Sequence, residues 1–121
     1  MRSSLVCGIY FCAAVGIGLS PALAQETADV NLKEWALGFK HMSVKNGHIR
    51  FDIENVGTVE HAFEVEGEAG GQKIEFKSPI LKPGEKTTLE VDLPPGKYDA
   101  YCPVHDHKDK GMSGKVTVGS M

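Results

Sequence analysis

The 121-residue sequence predicts an all-β fold, a Greek-key β-sandwich of about seven to eight short strands. Three observations point there. Several segments alternate apolar and polar residues with a period of two, turn-forming pairs separate them at short intervals, and no helix of useful length fits between those turns.

The first 24 residues stand apart from this pattern. Arg2 is followed by an uncharged apolar run from Leu5 to Leu19 and then by Pro21-Ala22-Leu23-Ala24. A basic start, a short apolar core and a small-x-small end predict a secretory signal peptide cleaved after Ala24, since the run is shorter than the roughly 20 residues a bilayer span requires. Residues 25–121 then form one domain with no membrane span, placed in the periplasm or outside the cell. Losing Arg2 makes the domain one unit more negative than the −3 of the whole chain, so nucleic acid is not an expected partner.

Within the domain, residues 31–39 read as a first strand carrying Leu32, Trp35, Leu37 and Phe39. After the Asn46-Gly47 turn, residues 48–54 alternate cleanly, with Ile49, Phe51 and Ile53 on one face. Residues 59–66 alternate again: His61, Phe63 and Val65 share the interior parity, while Glu60, Glu64 and Glu66 take the solvent face. Residues 67–72 read as a loop. Beyond Pro83-Gly84, residues 87–93 turn Leu89, Val91 and Leu93 inward, and Pro94-Pro95-Gly96 leads into a strand that ends near Cys102. Residues 115–118 form the last strand. His41 and His48 read as surface or strand-end residues, and the Glu60 to Glu68 acids as a solvated face.

Cysteine usage carries the first chemical signal. Cys7 and Cys12 leave with the signal peptide, so the domain keeps Cys102 alone and cannot form an internal disulfide. A lone thiol in an oxidising compartment is exposed to oxidation unless it is buried or bound. Cys102 also opens the spacing Cys-x4-His-x4-Met through His107 and Met112, with His105 inside the first gap. Thiolate, imidazole and thioether are ligands that copper favours and that magnesium or calcium does not select. A trigonal site needs another histidine from a different direction, and His61, inward at a strand end, is the candidate. A structural zinc site would leave the Met112 spacing unexplained, and His105 stands too near Cys102 for a cysteine–histidine nucleophilic enzyme.

Residues 55–61 (Asn-Val-Gly-Thr-Val-Glu-His), Pro94-Pro95-Gly96-Lys97-Tyr98, Tyr101-Cys102-Pro103 and residues 111–118 (Gly-Met-Ser-Gly-Lys-Val-Thr-Val) together resemble the cupredoxins, small blue copper proteins of the plastocyanin and pseudoazurin kind. The resemblance spans roughly residues 30 to 118. It implies a mononuclear copper held by His61, Cys102 and an axial Met112, cycling between Cu(I) and Cu(II), and a monomeric, non-enzymatic electron carrier between redox proteins such as a cytochrome or a copper oxidoreductase. The second histidine is His105 if the plastocyanin-like Cys-x2-His spacing holds. It is His107 if the family's four-residue gap to the methionine holds, and that form is the one expected here. A copper-handling module that buffers, senses or delivers the metal would use the same ligands.

Two positions depart from the family pattern. Ala62 stands where plastocyanin-like members place asparagine, so bracing of the ligand loops is expected from elsewhere, such as backbone amides near the thiolate. Lys108, Asp109 and Lys110 charge a loop where several relatives carry small or apolar residues.

Overall fold

The computed structural model describes residues 25–119. The expected signal peptide and its cleavage point lie outside these residues. Among the described residues, eight strands form two sheets: β1 (Glu26–Leu32), β2 (His41–Val44), β3 (His48–Asn55), β4 (Glu64–Ala69), β5 (Gln72–Lys77), β6 (Lys86–Asp92), β7 (Gly96–Tyr101) and β8 (Ser113–Val118), with one 3₁₀ turn at Lys108–Lys110. One sheet has the order β1-β3-β6 and the other β2-β8-β7-β4-β5, which is the all-β sandwich the alternation predicts. Among the described residues no helix is long and apolar enough to cross a membrane.

Period-two patterning sets the core. In β3, Ile49, Phe51 and Ile53 are at most 1% exposed, while Arg50 points out and pairs with Asp52 at 2.9 Å. The Phe51 ring meets Phe63 across the sandwich at a centroid distance of 5.0 Å, and Phe39 meets Phe63 at 6.4 Å. β3 pairs parallel with β1 and antiparallel with β6, which places Phe51 opposite both Ala28 and Leu89.

Three stretches differ from the sequence expectation, each for a local reason. Residues 31–39 are not one strand. β1 starts earlier and ends at Leu32, the chain reverses in a tight turn closed by paired Lys33–Ala36 backbone bonds of 3.1 and 2.7 Å, and Leu37 returns to the core. Residues 67–72 are no loop: β4 and β5 form a hairpin joined by Gly70 and Gly71, with φ of +60° and +79°, the left-handed pair a two-residue turn demands. Residues 59–66 contain a regular strand only from Glu64.

Before that strand, His61 and Leu81 form an isolated bridge with reciprocal bonds of 3.1 and 2.7 Å. Two residues on, Phe63 accepts from the Ser78 amide at 2.8 Å and donates its own amide to Ser78 Oγ at 3.0 Å. Pro79, between these contacts, has no N–H to continue a ladder, and a hydroxyl takes over one rung.

Candidate metal centre

Each of the three elements that reach one end of the sandwich delivers a donor. His61 sits on the bridge to Leu81, fully buried. Cys102 follows the last residue of β7, fully buried, with its amide donating to the Met112 carbonyl at 3.1 Å. His107 is held in the loop between them by bonds from its amide to the Val104 carbonyl at 3.0 Å and from the Met112 amide to its own carbonyl at 3.2 Å. Met112 is fully buried and its backbone is therefore tied to both Cys102 and His107. Gly111 completes the loop at φ +122°, where a Cβ would press to 3.1 Å of the Trp35 carbonyl.

His61, Cys102 and His107 present ligand atoms all within 4.8 Å of one another. The separations are 3.2 Å between the two Nδ1 atoms, 3.4 Å from Cys102 Sγ to His107 Nδ1, and 3.9 Å from Sγ to His61 Nδ1. A triangle of those sides has a centre about 2 Å from each corner, close to a bond length from imidazole nitrogen or thiolate to a late first-row metal. The donors therefore fit a trigonal metal site. His105 is exposed, lies outside this group, and takes φ +46°.

The surroundings favour ligands over free charges. Burial pushes the Cys102 thiol up, against the pull of the Ala62 and Val104 amides. Burial, and then repulsion from His61, pushes His107 down, so its imidazole is neutral and its lone pair is available. The Ala62 amide donates to Cys102 Sγ at 3.5 Å. A ligand on a loop at the sandwich pole is expected to be partly exposed; His107 is only 7% exposed, because the Trp35 ring packs edge-on against it at 4.9 Å and against His61 at 6.3 Å.

Sequence reasoning missed three participants. Asn55 is fully buried and ties the loop before His61: its Nδ2 donates to the Val59 and Leu81 carbonyls, both at 2.8 Å, and its Oδ1 accepts from the Gly57 amide at 2.8 Å. Glu34 reaches His61 Nε2 at 2.5 Å, and Trp35 covers both imidazoles. Asn55 sits inside the stretch that carries the family resemblance. An acid beside the one tryptophan in the first apolar stretch is the faint signal for the other two.

Comparison with known proteins agrees with this geometry. The chain resembles a dithionite-reduced auracyanin from the photosynthetic bacterium Roseiflexus castenholzii, with TM-score 0.68 and 21% identity over 78% of this chain and 97% of that one. Auracyanin A, a blue copper protein of Chloroflexus aurantiacus, matches with TM-score 0.69 and 19% identity over 79% and 100%. A purple cupredoxin from Nitrosopumilus maritimus matches with TM-score 0.54 and 23% identity over 76% and 99%. Copper is the cofactor that goes with this fold and with a thiolate and imidazole donor set. The sequence model of the cupredoxin-like domain matches residues 5–118, nearly the whole chain, and the protein belongs to the cupredoxin family.

Proposed function

We propose that the Nδ1 atoms of His61 and His107 and the sulfur of Cys102 bind one copper ion, with Met112 as axial ligand, in a periplasmic or secreted electron carrier that is not an enzyme. The observation that carries this reading is the triangle of three buried donors, 3.2, 3.4 and 3.9 Å on its sides, drawn from two segments 41 residues apart. Bound copper supplies a one-electron couple. The chain's own part is to hold the donors in nearly one arrangement, so that little moves when the charge changes.

That rigidity has identifiable sources. His61 is pinned by the Leu81 bridge and by Asn55, Cys102 by the Met112 carbonyl and the Ala62 amide, and His107 by two backbone bonds of its own loop. The large exposed apolar side chains support docking of a redox protein, such as a cytochrome or a copper oxidoreductase, at this end of a monomer. Trp35, Val56, Val59 and Ile80 are 38, 49, 41 and 59% exposed, and each lies in a segment that contacts or adjoins His61.

Addition of Cu(II) to purified protein should produce an intense visible thiolate-to-copper band that saturates at one equivalent. Cys102→Ser and His107→Ala should abolish it and His105→Ala should keep it. Loaded protein without that band would refute the reading. A protein that has the band but exchanges electrons poorly with cytochromes, while passing copper to an acceptor, would be a copper-handling module instead.

A further inference from the structure

The tight turn from Lys33 to Ala36 places two side chains at the candidate metal centre, and Glu34 is the one that touches a donor from behind. Its Oε2 accepts from His61 Nε2 at 2.5 Å, while Oε1 accepts from the Thr58 amide at 3.0 Å and from Thr58 Oγ1 at 2.7 Å. Both carboxylate oxygens are thereby engaged. The His61 ring is fully buried between this carboxylate on one side and the Cys102 and His107 donors on the other. Gly57 makes the approach possible, since a Cβ there would collide with Glu34 Oε2 and stand 3.0 Å from His61 Nε2.

A neutral imidazole carries one proton, and the nitrogen without it holds the lone pair a metal needs. A carboxylate is an acceptor only, so it fixes the proton on Nε2 and leaves Nδ1 free toward Cys102 and His107. The negative charge also makes the ring a stronger donor, which stabilises the more positive oxidation state of a bound metal.

We propose that Glu34 is a positioning residue for the copper site: it fixes His61 as an Nδ1 donor and, by its charge, favours Cu(II) over Cu(I). This rests on the copper reading above, and part of its test needs no copper. In metal-free protein, imidazole ¹⁵N spectra should show the neutral form of the His61 ring carrying its proton on Nε2, and Glu34→Ala should give a mixture of tautomers.

In loaded protein, Glu34→Gln keeps an acceptor and removes the charge. The visible band should persist, and the ratio of Cu(II) to Cu(I) affinity should fall about tenfold, a rise of about 59 mV in a one-electron potential. Glu34→Ala should in addition weaken Cu(II) binding by about 10–100-fold. If the tautomer and the potential are unchanged in both variants of a protein that does bind copper, the role of Glu34 is refuted and the copper site stands. If the wild type binds no copper, the copper reading fails on its own evidence, and the redox half of this proposal fails with it.

Discussion

The amide of Ala62 donates to the sulfur of Cys102 at 3.5 Å, so the residue after the first histidine supports the thiolate through its main chain. A side chain is not needed at position 62 for that contact. Side-chain bracing comes from Asn55, seven residues back, which ties the Val59 and Leu81 carbonyls together from the end of β3. The site is therefore held by the end of β3, by the main chain at Ala62 and by its own loop.

Copper binding should depend on pH through the Cys102 proton. The Cys102 thiol is pushed up by burial, so metal-free protein carries its proton through neutral pH and must release it to bind. His107 is pushed down, so its proton is already gone there and competes only in acid. Cu(II) affinity from competition titrations should rise by at least about tenfold per pH unit between about pH 6 and 8. A slope of zero would mean that the thiolate exists before the metal arrives.

Trp35 is the one tryptophan of the chain and lies against both imidazoles. Its fluorescence should fall as Cu(II) is added and reach its floor at one equivalent, in wild type and in His105→Ala alike. Emission that ignores the metal would place copper elsewhere. Trp35→Ala should leave the visible band in place but open His107 to solvent. It also removes the ring under the Lys110 ammonium, 4.6 Å away. Faster bleaching of the band by small chelators would report that opening.

Two glycine variants separate a site effect from a backbone effect. Gly57→Ala drives a methyl into the Glu34 and His61 contact, which should cost about 1–3 kcal/mol and disturb the copper spectrum. Gly70→Ala meets no atom within 4 Å, but its φ of +60° strains any residue with a Cβ, so it should cost about 1–2 kcal/mol and leave the spectrum alone. Thermal unfolding alongside the visible band would tell the two apart; equal spectra would remove the role of Gly57.

What could be read from the sequence was whatever a local pattern encodes. Ile49, Phe51 and Ile53 alternate without interruption, so β3 and its inward face followed directly. Cys102, His107 and Met112 lie in one short loop, and their spacing announced a metal site. His61 had the right parity for the interior, although Pro79 and Ser78 reduce its strand to a bridge. β5 escaped notice because only Ile74 and Phe76 carry its pattern among charged neighbours, at a half-buried edge of the sheet. Glu34 stands 27 residues from His61, and only the closed sandwich brings them together.

Glu64 contradicts its expected place on the solvent face. It is 3% exposed, opposite Tyr101 in the sheet, and its Oε2 is buried without a hydrogen-bond partner. Burial, and then the Glu75 carboxylate beside it, pushes Glu64 up, while Glu75 is pushed down; the pair shares a proton that Glu64 keeps. A carboxyl whose folded pKa is raised contributes its stability below the unfolded value, near 4.5, and loses it as the pH climbs through the folded one. A glutamine side chain in its place cannot ionise and retains a donor for Glu75. Glu64→Gln should therefore match wild type at about pH 4 and exceed it at pH 7 by about 1 kcal/mol, or roughly 4–8 °C in Tm. Melting curves across that range should show the gap opening with rising pH; a gap that is constant or closes would mean that the buried carboxyl is no burden on the fold.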